Sequence, residues 1–380
     1  MKPNPAHYTA AALVLFSSAA AAEFSRNYIS IVGSSTLQPF AAAVAEQIAR
    51  TKKVKPPKIE STGTGGGFTL FCEGEGAAYP DIVNASRPMH QRELDNCRNA
   101  GVNDVVEVKV GYGGPVLVQA ATAPALSLSR RELYLALAEQ IPDPSCAPGC
   151  EKLIDNPNQR WKQINPALPD AAIEVLGPPA SSGLSEALTE AVLEAGCDGV
   201  AWLAARKSRN DAVYKRACRS LRKDAAYTEE TGETILARIG GEPNRIGIVS
   251  FANYSNGHSG LSSIAVEGVA PSEDSLAGQR YPLTTPVLFY VKRAHAEGIP
   301  GLRPYLAEFT GDKAWGSKGY LEKKGLVPMT AAERDTYARV ARDLTVMTAA
   351  GQKPEPVVVA EAKPEPAAKP QAAKKHAKRK

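Results

Sequence analysis

Short apolar runs alternate along this chain with longer amphipathic stretches, and that rhythm predicts the architecture. Residues 27–32, 58–60 and 81–85 predict strands, and the Ala-rich stretch 39–50 between the first two predicts a helix. Strands alternating with helices imply a mostly parallel sheet covered on both faces, an α/β fold. Two later apolar strands are predicted at 105–110, running through Gly111 into 115–119, and at 287–292. Between them lies a second α/β set, with helices expected at 131–140, 184–195 and 200–224 and strands at 172–176 and 245–251. A chain that leaves one lobe, builds another and returns crosses between them on two adjacent strands, which is a hinge. Helices at 303–309 and 331–347 then close the first lobe. This pattern divides the chain into a first lobe (23–111 and 281–349) and a second (112–280), with no internal repeat.

The two ends follow different rules. Lys2 and His7 precede an apolar stretch from Tyr8 to Ala19 and the small-residue run Ala20-Ala21-Ala22, the layout of a secretory signal over residues 1–22. That stretch falls short of the roughly 20 residues a spanning helix needs, so export to the periplasm is expected. Residues 350–380 consist mostly of Ala, Lys, Pro and Glu, a composition that buries too little apolar surface to fold and predicts a disordered tail.

Charge sharpens this division. From position 352 onward the tail holds eight of the 45 Lys and Arg and three of the 40 Asp and Glu, so the rest of the chain carries 37 of each and no net charge. A balanced body argues against a nucleic-acid groove. The basic end from Lys374 to Lys380 reads first as a solvated tail, with electrostatic contact to an anionic envelope surface as the sharper alternative. Six cysteines, an even number in an exported chain, favour three disulfides. Neighbours along the chain suggest Cys72 with Cys97, Cys146 with Cys150 and Cys197 with Cys218. No metal or other cofactor is expected, because paired C-x-x-C knuckles are missing and His90, His258 and His295 are scattered.

Three glycine-and-hydroxyl clusters fall where a predicted strand gives way to a helix. They are Gly33-Ser34-Ser35-Thr36, the run from Ser61 through Thr64 and Gly65 to Gly67, and Ser181-Ser182-Gly183. Helix starts present free backbone N–H groups and partial positive charge, and glycine lets an anion approach that backbone. Each cluster alone is an N-cap or tight turn. Three together, shared between both lobes at the carboxyl ends of strands, fit the crevice rule for open α/β sheets and predict a cage for a tetrahedral anion. Arg87, at the end of the 81–85 strand, is a candidate fourth contributor, since its guanidinium forks suit an oxyanion.

The motifs Gly-Ser-Ser-Thr-Leu-Gln-Pro-Phe from Gly33, Gly-Thr-Gly-Gly-Gly from Gly63, Asp-Ile-Val-Asn-Ala-Ser-Arg-Pro from Asp81 and Gly-Pro-Pro-Ala-Ser-Ser-Gly from Gly177 occur in that order. Tyr-Pro-Leu-Thr-Thr-Pro-Val-Leu-Phe-Tyr-Val from Tyr281 and Phe-Thr-Gly-Asp-Lys-Ala-Trp-Gly-Ser-Lys-Gly-Tyr-Leu from Phe309 follow. Over about residues 27–345 the chain resembles the periplasmic phosphate-binding protein of the phosphate ABC transporter. The resemblance implies a two-lobed type II periplasmic-binding fold, a monomer, and phosphate or a related oxyanion held between the lobes for delivery to a membrane permease. It carries the site onto Thr36, Leu37, Thr64, Arg87, Ser182 and Gly183, and Ser35, Gly65 and Ser181 of the same turns complete the candidate set. It also exposes departures. Arg87 stands where well-known members have an Asp that accepts the proton of hydrogen phosphate, and Pro178, Leu184 and Ser185 stand where members place Arg or Thr donors.

Two other classes stay open on the residues. An exported phosphatase would use a serine in these turns, but no Gly-x-Ser-x-Gly elbow or placed base accompanies them, so no catalysis is expected. An envelope-associated or signalling protein with a degenerate ligand site, its tail as the working part, would account for the missing donors.

Overall fold

The computed structural model describes residues 26–52, 54–147, 149–207, 211–255 and 259–351. The leader expected at 1–22 and all but the first two residues of the tail lie outside these. Ten strands form two five-stranded sheets, numbered here in chain order. The first sheet holds Ser30–Gly33 (β1), Lys58–Ser61 (β2), Ile82–Ala85 (β3), Val105–Gly113 (β4) and the returning Thr285–Lys292 (β10). The second holds Pro115–Ala120 (β5), Val175–Gly177 (β6), Tyr227–Glu229 (β7), Ile246–Ser250 (β8) and Leu261–Ser263 (β9). Their orders are β2-β1-β3-β10-β4 and β7-β6-β8-β5-β9.

Within each sheet four strands run one way and a single strand opposes them. In the first it is β10, antiparallel to β3 and β4; in the second it is β5, antiparallel to β8 and β9. Both are strands that arrive directly from the other lobe. β4 passes through Gly114 into β5, and β10 begins opposite Gly113, where Thr285 pairs with it. The two crossovers touch at Gly114, whose φ of 150° is one that glycine tolerates; a Cβ there would strike the carbonyl oxygen of Leu283.

Alternation along the strands fills both faces of the first sheet. Val287, Phe289 and Val291 of β10 face one core with Gln38–Lys52 (α1), while Leu288 and Tyr290 face the other with Thr64–Phe71 (α2) and Gln91–Asn99 (α3). Helix α1 presents Phe40, Ala41, Val44, Ala45 and Ile48, a helical stripe, to the sheet. In the second lobe, Arg130–Leu137 (α4) packs against a helical run at 183–197 (α5), whose middle, Thr189–Glu194, is wound as a π-helix.

The suggested disulfides are all present: Cys72–Cys97, Cys146–Cys150 and Cys197–Cys218. Both ends of the described chain fasten to the first lobe. Arg26 pairs with the buried Asp81 at 2.6 Å, and the amide of Met347 donates to the carbonyl of Val105 at 2.9 Å.

Some local expectations are corrected. The helical region expected at 200–224 holds two short helices, Ala201–Ala204 and Ala212–Cys218, the second capped by Asp211, which accepts from the Tyr214 amide. Gln140, expected to end the helix at 131–140, instead opens the strand Gln140–Pro142, paired with Leu153–Asp155.

Candidate functional site

The three turns meet between the lobes. After β1, the Ser34 amide donates to the Asn84 carbonyl (2.8 Å), and Ser34 Oγ accepts from the Thr36 amide (3.2 Å). This pins the turn against β3 and leaves Thr36 Oγ1 buried without a hydrogen-bond partner. Leu37, the next residue, is wholly buried and anchors the start of α1 in the core. Helix α2 opens at Thr64, which is fully buried. Its cap residue is Gly63, so no side chain caps the helix. Thr64 Oγ1 shares a 3.0 Å hydrogen bond with Ser86 Oγ and accepts from the Ser86 amide at 3.2 Å.

The second lobe supplies the opposing turn. Ser182 caps α5 by accepting from the Ser185 amide (3.1 Å), and the Gly183 amide donates across the cleft to Ser35 Oγ (3.0 Å). A Cβ on Gly183 would collide with Ser34 Oγ, so the glycine is what allows the two turns to touch. Ser35, Thr36, Thr64, Gly65, Ser182 and Gly183 therefore gather around one interlobe junction, while Ser181 lies exposed at its edge.

Pro178 and Leu184, with Ser35, Thr36 and Ser182, line a cavity of ≈ 330 Å³ beside this junction. A second cavity, of ≈ 470 Å³, is lined by Gly63, Gly65, Ser181 and Glu186, and by Arg219, Arg222 and Lys223. Ser185, largely buried, lines the second cavity as well, and its amide donates to Ser182 Oγ.

Glu186 is the residue the motifs did not single out. Its Oε2 accepts the Thr64 amide at 2.7 Å and its Oε1 accepts the Gly65 amide at 3.1 Å. The first amides of an uncapped helix thus hold a carboxylate, as expected of a site with free N–H groups and partial positive charge.

Arg87 engages carboxylates, and with Gly65, Glu93 and Glu186 it lines a third cavity, of ≈ 740 Å³. It makes a bidentate pair with Glu93 at 2.8 and 2.7 Å, lies 3.6 Å from Glu186 Oε1, and stacks over Phe68. Its Nε is 2.8 Å from Glu190 Oε1, but the N–H does not point along that line and neither atom gains a hydrogen bond. Burial works against the Arg87 charge, yet Glu93, Glu190 and Glu186 outweigh it and raise its affinity for the proton. Glu190 is pushed up to about 7, chiefly by burial, with Glu186 and Glu194 adding to the rise and Arg87 opposing it. Glu186, Glu190 and Glu194 follow one another at four-residue intervals along α5. That spacing was the available signal for a charged face. Arg219 and Lys207 serve Glu194 at its far end.

Among the described residues no group of three or more His, Cys, Asp or Glu is arranged to hold a metal ion, and no helix is long and apolar enough to cross a membrane.

Two lobes of mixed sheet on a two-strand hinge, with helix starts meeting between them, define a type II periplasmic-binding fold. The sequence matches the PBP superfamily domain over residues 18–313, and the chain belongs to that superfamily. It is 29% identical over 283 residues to the protein SphX of Synechocystis, covering 73% of this chain and 72% of that protein. With the phosphate-binding protein PstS of Staphylococcus haemolyticus it shares 22% identity over 320 residues, 82% of this chain and 83% of the relative. Among solved structures, a possible phosphate-binding protein from Planctomyces limnophilus superposes with a TM-score of 0.57 at 22% identity, covering 83% of this chain and 98% of that one. An ABC-type phosphate transport receptor from Vibrio cholerae gives 0.57 at 17% identity, covering 79% and 99%. At these identities the structural likeness speaks for the fold.

Proposed function

We propose that this protein is an exported carrier, not an enzyme, that captures inorganic phosphate or a closely related oxyanion between its lobes for delivery to an ABC-transporter permease. The observation that supports it most is the α2 start, where two backbone amides already grip an oxyanion in the form of the Glu186 carboxylate. Around it stand the buried, unpartnered Thr36 Oγ1 and the Ser35–Gly183 contact between lobes. This is a set of amides and hydroxyls in which the unpartnered Thr36 hydroxyl, costly to bury alone, gains a partner when an anion arrives. The relatives that carry phosphate in their names add family-level support.

Titration calorimetry of the chain without its leader, against phosphate, arsenate and sulfate, tests the reading. Thr36→Ala and Thr64→Ala should each weaken phosphate binding by about 1–3 kcal/mol while the protein stays folded. Absence of heat from every oxyanion would remove the carrier reading. It would favour instead a protein that keeps the fold with a filled, non-binding site, a reading motivated by the engagement of Arg87 with three carboxylates.

A further inference from the structure

Glu186 stands on the second lobe, yet both of its carboxylate oxygens serve the first. The acceptor for Thr64 and Gly65 comes from 122 and 121 residues further along the chain, so this is no local cap. Local caps are supplied by the residue just before the helix, and here that residue is Gly63, with no side chain to offer. The same turn of α5 makes a second polar contact with the first lobe, from the Gly183 amide to Ser35 Oγ, three residues away. Arg87 of the first lobe lies 3.6 Å from Glu186 and 2.8 Å from Glu190. The opening turns of α5 are therefore clasped by the first lobe through charge, and the group at the centre of the clasp is chemically an oxyanion. Two amides cannot direct their N–H groups at a carboxylate and at a second anion together.

We propose that Glu186 is an intramolecular latch and competitor: its carboxylate holds the lobes together by occupying the α2 amides, and it must leave them before an external oxyanion takes that place. The competitor half rests on the carrier reading above; the latch half does not. An external anion then binds with an affinity reduced by the fraction of molecules in which Glu186 has let go. Glu186→Gln removes the negative charge and turns an acceptor into a group that is half donor. Glu186→Asp keeps the charge on a side chain one methylene shorter, which cannot span both amides as Glu186 does.

The test compares wild type, Glu186→Gln and Glu186→Asp by small-angle X-ray scattering after exhaustive removal of phosphate, then by calorimetric titration with inorganic phosphate. Far-UV circular dichroism reports folding, and Glu186→Asp carries the comparison should Glu186→Gln fail to fold. The expected result is a larger radius of gyration without phosphate for Glu186→Gln, a smaller increase for Glu186→Asp, and phosphate binding roughly tenfold or more tighter in Glu186→Gln. Unchanged scattering in both variants overturns the latch. Weaker phosphate binding overturns the competitor and makes Glu186 a supporting acceptor for the ligand. If no form binds phosphate while Glu186→Gln still opens, the latch stands and the carrier reading fails.

Discussion

At Glu190 burial and charge pull in opposite directions. The carboxyl sits against a guanidinium, which favours ionisation, but it is largely shielded from water and shares its helix face with Glu186 and Glu194. Burial wins, and the group titrates at about 7 in the folded protein against an ordinary value of 4.5. Between those two pH values the folded protein holds a proton that the unfolded chain has released, so this group's contribution to stability falls as pH rises from about 4.5 to about 7. Glu190→Gln, which cannot ionise, should flatten that part of the stability curve. Urea unfolding at pH 5 and pH 8 should show the variant gaining on wild type at the higher pH, by an amount on the order of 1–3 kcal/mol. Equal pH dependence in the two proteins would place the ionised carboxylate in the native state at neutral pH.

The hinge is the element whose local geometry is least forgiving. Gly114 joins β4 to β5 with a φ of 150°, and its neighbour across the hinge is the backbone of Leu283. Gly114→Ala should cost more than about 1 kcal/mol, because the new methyl meets backbone rather than a side chain able to move aside. Gly113→Ala is the control: a Cβ there meets only Val287 at an ordinary 3.5 Å. Denaturant unfolding of the pair checks this, and equal stabilities would mean that the hinge relaxes freely. Most elements were legible from the sequence because local pattern suffices for them: valines in β4, the apolar stripe of α1, and glycine with serine or threonine at each helix start. What escaped depends on partners distant in sequence. The reversed strand in each sheet follows from a chain passing straight between lobes, and the 140–142 strand exists because 153–155 lies beside it. The break in 200–224 escaped because short amphipathic pieces read alike whether joined or separate. At the site the three turns were visible, whereas the roles of Glu186 and Glu190 required knowing what faces α5. Arg87, read as a candidate contributor to the anion cage, gives its bidentate face to Glu93 on the next helix.

Across the molecule the disulfides differ in what they secure. Cys72–Cys97 joins the end of α2 to α3, and Cys197–Cys218 joins the end of α5 to Ala212–Cys218; apart from Cys72, at 6%, these sulfur-bearing residues are entirely buried. Their sequence separations of 25 and 21 give each a stabilisation of about 3 kcal/mol in the chain-entropy account. Cys146–Cys150 spans 4 and has Cys150 exposed. Mild thiol treatment followed by alkylation and mass spectrometry should therefore label Cys146 and Cys150 first, with little loss of thermal stability. Labelling of Cys197 and Cys218 should appear only as the protein unfolds. Early labelling at those two positions would show that the second lobe breathes far more than its packing suggests. The placement of the ends has a consequence of its own. Arg26 and Met347 both fasten to the body that carries β3 and β4, so neither end leaves from the body that carries α5. Anything tied on beyond either end would park that one body and leave its sibling to do all the swinging. A surface that must tell shut from ajar would then gain most by feeling for the untied half.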